Sequence, residues 1–197
     1  MRVKPVNQSH KGKEQKMSHE GLVVKIYPDV DPQSPADWDG DNELGIVTTH
    51  NRYFDLQQGG FTPDELDPHE PTNKPTLRRY WVFPLYMYAH SGVALSLGRD
   101  TYPFTDPWDS GQVGFVYVLK TSYKRREKAR KAAQTYIKTW NQYLSGEVYG
   151  YVIETPDGNH EDSCWGFYGL DYCRQQAREA AEYRAEEITK AERLMQS

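Results

Sequence analysis

Between Ser122 and Gly146 the apolar residues Ala129, Ala132, Ala133, Tyr136, Ile137, Trp140, Tyr143 and Leu144 recur at intervals of three and four. That spacing puts them on one stripe of an α-helix, and a stripe this wide has to be buried against another layer. Ser122 can act as N-cap and Gly146 as the C-terminal stop, so a helix is predicted over about 123–145. Its other face carries Lys124, Arg125, Arg126, Lys128, Arg130, Lys131 and Lys138 against Glu127 alone. A helix with one apolar face needs a partner layer, and the flanking sequence supplies strands.

Tyr80 to Tyr88 (YWVFPLYMY), Val93 to Leu97 and Gln112 to Lys120 (QVGFVYVLK) are short β-branched and aromatic runs bounded by turn residues. Pro84 implies an edge position or a bulge in the first of them. Leu22 to Tyr27 reads as an earlier strand and Leu44 to Thr49 as a short second one. Beyond the helix, Glu147 to Glu154 and Ser163 to Tyr168 form a hairpin around Thr155-Pro156-Asp157-Gly158-Asn159. A final helix is predicted over about 170–195. The expected fold is α+β: a largely antiparallel sheet of about five or more strands, with two helices (about 123–145 and 170–195) packed on one face. Apolar residues are only 37% of the chain, but 15 tyrosines and 5 tryptophans give a core rich in aromatic surface. Gly114, Gly150 and Gly166 interrupt aromatic strands, which marks bulges or places where a ring approaches the backbone.

Residues 1–20 are polar, basic and aperiodic, so they read as a disordered tail ahead of a single domain over 21–197. Within that domain, 28–76 is an acidic, Pro-rich loop region with one helical turn expected at Pro63-Asp64-Glu65-Leu66. From Pro28 to Glu70 eleven acids face one base, Arg52. No run reaches the roughly 18 apolar residues of a membrane span, and the start of the chain lacks a signal-type apolar stretch. Two cysteines, Cys164 and Cys173, are too few for a disulfide framework. A cytoplasmic protein that does not engage membranes is expected.

No motif for catalysis, cofactor or metal is complete, so no cofactor is expected and no metal. Asp37, Asp39, Asp41 and Glu43 alternate as in a calcium loop, yet the glycine expected at Asn42 and the glutamate expected near Thr48 are missing. His90, Asp109 and Ser110 supply the residue types of a Ser/His/Asp site without a nucleophile elbow. Cys164 precedes Trp165 as a papain-type nucleophile would, but every histidine lies upstream of it, and a buried core cysteine is the expectation.

PLYMYAHSGVALSL, PFTDPWDSGQVGFVYV, YLSGEVYGYVIE and DSCWGFYG, within Tyr80 to Gly169, together resemble an uncharacterised group of small proteins carried by bacteriophages, plasmids and related mobile elements. The resemblance implies a dispensable accessory protein, for which blocking host defence is a common role, and it transfers no catalytic residues. Three functions follow as expectations. The first is non-enzymatic binding of a host protein or protein–nucleic acid complex, as an inhibitor of a defence nuclease (anti-CRISPR or anti-restriction) does, through Asp37, Trp38, Asp39, Asp41 and Glu43. The second is a nucleic-acid-binding module using Lys124, Arg126 and Lys131 on the basic helix 124–138. The third is a small hydrolase built on His90, Asp109 and Ser110, or on Cys164.

Overall fold

A computed structural model of the chain describes residues 15–37, 43–48, 61–89, 92–98 and 110–196. In chain order the elements are β1 (Gln15–His19), β2 (Leu22–Pro28), β3 (Leu44–Thr48), α1 (Pro63–Leu66), α2 (Lys74–Arg79), β4 (Tyr80–Ala89), β5 (Val93–Leu97), β6 (Ser110–Leu119), α3 (Arg126–Leu144), β7 (Val148–Glu154), β8 (His160–Tyr168) and α4 (Leu170–Met195), with 3-10 turns at Pro35–Asp37 and Pro71–Asn73. The fold is α+β with antiparallel strand pairing, as the periodicities imply. The strands divide into two four-stranded sheets, ordered β1-β2-β7-β8 and β3-β6-β4-β5. Each long helix covers its own sheet, where one sheet carrying both was expected, because β2 pairs with β7 rather than with a nearer strand.

The expected domain comprises two compact units. One lies within Ser34–Ser145; the other is built from the described residues up to Gln33 and from Gly146 onward. The first is thus inserted in the sequence between β2 and β7. Gln15–His19, read as part of a disordered tail, is instead an edge strand, since each of its residues finds a register partner on β2.

In the inserted unit the α3 stripe meets one face of the sheet. Ala129, Ala133, Ile137 and Trp140 pack with Ile46, Phe83, Leu85, Val116 and Val118. Trp140 is only 1% exposed. The other face carries Val47, Tyr80 and Tyr117, covered by Leu66 and Phe61. Phe61 meets Tyr80 and Tyr117 edge-on at 5.2 and 5.3 Å. α1 occupies the expected turn, begun by the Thr62 amide donating to the Glu65 carboxylate at 2.7 Å. The edge strand β5 is tied to α3 by Asn141, which accepts from Leu95 N at 2.7 Å and donates to Leu95 O at 2.9 Å. Pro84 sits on a central strand rather than at an edge, and the ladder slips just after it, at Leu85/Tyr86.

In the second unit Leu22, Val24, Ile26, Tyr151 and Ile153 pack under Cys173, Ala177 and Ala181 of α4. The small residues let the helix approach closely. Arg184 joins α4 to Glu161 at 3.1 Å, and His19 Nε2 lies 3.0 Å from Glu182. Among the described residues no helix is long and apolar enough to cross a membrane.

Trp140→Ala should lower stability by about 3–5 kcal/mol, the range for a large aromatic removed from a closed core. Denaturant titration checks this, and an unchanged midpoint would place the indole outside the core.

Candidate nucleic-acid interface

α3 begins at Arg126, with Arg125 in the N-cap position. The expected cap, Ser122, is engaged elsewhere: its hydroxyl donates to the Glu43 carboxylate at 2.6 Å. Arg125 cannot accept from the first-turn amides, and among the described residues no side chain caps the helix. The free N–H groups of that turn give it the partial positive charge of any helix start.

Six bases, Lys124, Arg125, Arg126, Lys128, Arg130 and Lys131, crowd this end against one acid, Glu127. No basic residue stands in the last turn of α3. Lys124, Arg125, Arg126 and Lys128, at or beside the first turn, therefore stand where the helix dipole disfavours them, at roughly 0.3–1 kcal/mol each. α4 has the favourable order, with Asp171 in its first turn and Arg193 in its last. The charge pattern of α3 is unlike that of its sister helix, and local stability does not explain it.

At 100° per residue, Lys128, Lys131, Thr135 and Lys138 fall on the side of α3 opposite the Trp140 stripe, and Lys124 lies in the segment just ahead of the helix. All five are exposed. Lys128 and Lys138 stand about 15 Å apart along the axis. Among the described residues none of these lysines forms an ion pair with a carboxylate. A depression at the amino end of the helix is lined by Ser122, Tyr123, Lys124, Arg125 and Lys128. Cations on a ridge ending at free amides suit a run of phosphate groups.

Other basic residues serve the fold. Lys120 donates to Leu77 O at 2.6 Å and lies 4.4 Å over the Trp81 ring. Arg126, predicted as a contact residue, sits 5.6 Å over the Phe83 ring on the core-facing side of α3. Lys131 lies on the exposed ridge, and Lys124 just ahead of the helix start. Lys128 and Lys138 complete the ridge: Lys128 stands four residues from Lys124 and three from Lys131, and Lys138 two turns beyond Lys131.

Of the acidic set, Asp37 ends a 3-10 turn and Glu43 holds Ser122, while Trp38, Asp39 and Asp41 lie outside the described residues. His90 and Asp109 lie outside them too, and Ser110 is described only as the first residue of β6. Among the described residues no three His, Cys, Asp or Glu side chains gather around a metal position.

The expectation for Cys164 is corrected: it is exposed, and Cys173 is the buried thiol. β8 is an edge strand whose register with β7 shifts between Tyr149 and Tyr151, so alternation does not bury Cys164 as it would in a central strand. The Cys164 thiol lies 3.9 Å from Trp165 O, and among the described residues no imidazole is hydrogen-bonded to it. Burial first, and the neighbouring Cys164 second, push the Cys173 thiol up to about 12.

No protein-family model, curated protein or solved structure matches the chain.

Because the thiolate is the reactive form, an aromatic disulfide reagent should label one thiol quickly in the native protein, and Cys164→Ser should remove that phase. Cys173 should react only on unfolding. Two fast thiols, or none, would contradict the burial of this pair.

Proposed function

We propose that this protein binds the phosphate backbone of nucleic acid through the start and the exposed ridge of α3, with Lys124, Lys128, Lys131 and Lys138 as the contacting residues. The observation that carries the reading is the placement of six bases at the uncapped, dipole-positive end of the helix. An arrangement that opposes local stability is the kind expected where a site serves a ligand. A strand of phosphates reverses the sign of the local energy: it offsets lysine repulsion, accepts from the free amides and releases counterions on binding.

The formal charge of −4 does not oppose this, since the segment from Lys124 to Lys138 holds seven bases against one acid, while eleven acids fall far away in sequence between Pro28 and Glu70. Contacts of this kind fix affinity and orientation without reading sequence. In the accessory role implied by the resemblance to mobile-element proteins, such binding acts by occupying or shielding the strand that a defence nuclease must reach. The contacting residues work by charge and position, with no chemical step.

The test is the Lys124/Lys128/Lys131→Glu variant. Log affinity for nucleic acid falls with log salt by about 0.9 per phosphate neutralised on a duplex and 0.7 on a single strand. Losing three contacts should lower that slope by roughly two to three and weaken binding at low salt across unrelated sequences. Lys128→Glu alone should stabilise the fold by about 0.3–1 kcal/mol, because an acid then meets the helix start. An unchanged slope in the triple variant would remove α3 from the interface.

A further inference from the structure

Among its described residues the second unit has one helix, α4, and it covers one face of the sheet. Strand alternation fixes what the other face carries. Met17, Val24, Ile26, Tyr149, Tyr151 and Ile153 point toward α4, so Lys16, Lys25, Tyr27, Gly150 and Val152 point away. Two rows lie side by side on that face. In the first, Lys16 pairs with Lys25, Lys25 with Val152 and Val152 with Ser163. In the second, Tyr27 pairs with Gly150.

Trp165 completes the second row. A side chain on Gly150 would overlap the Trp165 ring and stand 2.9 Å from Cys164 O, so the missing Cβ is the space into which the indole settles. Gly166, at φ 86°, gives the edge strand the turn that aims Trp165 there. Tyr27 lies alongside, with centroids 6.5 Å apart and planes 25° from parallel, a separation at which neither ring fully covers the other. Trp165 remains 48% exposed. A strand glycine has thus made room for an indole resting on the sheet with much of its surface open to solvent.

The first row supplies charge. Lys16 and Lys25 stand directly opposite one another, an unfavourable cross-strand pair. Glu154 answers Lys25 at 2.7 Å, and Lys16 is exposed. A ligand combining an anion with a planar ring fits both rows: the anion at Lys16 and Lys25, the ring on Trp165 and Tyr27.

We propose that this face binds single-stranded nucleic acid, with an unpaired base stacked on Trp165 and the adjoining phosphate held by Lys16 and Lys25. The inference rests on the phosphate-binding reading of α3 and adds to it the class of strand. Bases in a duplex are covered by their neighbours and cannot lie on an indole, whereas unpaired bases stack readily on a four-stranded sheet bearing aromatic side chains. The aromatic contact makes the difference between single strand and duplex, since lysine contacts accept either.

The experiment compares labelled oligo-dT, oligo-rU and a duplex of equal length by fluorescence anisotropy. Wild type, Trp165→Ala, Trp165→Phe and the α3 triple variant are measured, each with its melting temperature. Trp165→Ala should lose about five- to a hundredfold in affinity for at least one single-stranded probe, keep the wild-type affinity for duplex, and remain folded with a cooperative melt. Trp165→Phe, which retains a ring, should recover most of the loss. Equal binding of both single-stranded probes by wild type and Trp165→Ala overturns the proposal. So does an equal loss for duplex, or a wild type that binds neither single strand. The α3 reading fails separately, if the triple variant binds every probe as wild type does while Trp165→Ala still loses the single strand.

Discussion

The antiparallel pairing of β2 with β7 is the constraint on which the second unit depends. From Val23↔Glu154 to Pro28↔Tyr149 it joins strands on either side of the whole inserted unit, and the Asp29 amide extends the ladder to Val148 O at 2.8 Å. Closing so long a loop costs entropy that grows only slowly with its length, and burial of Val24, Ile26, Tyr151 and Ile153 beneath α4 offsets it. Without this pairing the sheet falls into two hairpins, β1-β2 and β7-β8, and α4 has half a sheet to cover. The same register sets Tyr27 beside Gly150, so the aromatic row exists only because the chain returns to this partner.

The two long helices show how far electrostatics and packing can separate. α4 matches its dipole and closes onto the sheet with alanines and Cys173. α3 is anchored by Trp140 and by the Asn141 bridge to β5, so its packing is strong enough to tolerate adverse charge at its first turn. A phosphate-binding end can persist on such a helix because the energy that holds it comes from the opposite face. Lys16 opposite Lys25 on the other unit repeats the pattern on a strand: like charges held together by a ladder that has other reasons to form.

What was legible in the sequence was local. The α3 stripe, the α1 turn at Pro63, the span of β5 and the bounds of α4 follow from periodicity and from glycine or proline at the right place. Partner choice among strands was not legible, because an alternating strand satisfies one large sheet or two small ones equally well, and the β2–β7 contact carries no local mark. Cys164 was misjudged for the same reason: its alternation with Trp165 is real, but burial depends on being central in a sheet, and β8 is an edge. Arg126 was named for its charge; it is exposed and also lies over the Phe83 ring, a contact that charge alone does not announce. Tyr-Gly-Tyr around Gly150 did announce a close approach, though not that the visitor is an indole open to solvent on its other side.

The central claim is that phosphates meet the uncapped start of α3. Backbone amide chemical shifts during titration with oligo-dT test it most directly, because the amides of the first helical turn report an anion within hydrogen-bonding reach whatever the side chains do. The account predicts saturable shifts concentrated at Arg126, Glu127 and Lys128, with little change in the last turn of α3. Shifts that leave these amides unmoved while saturating elsewhere on the protein would contradict it.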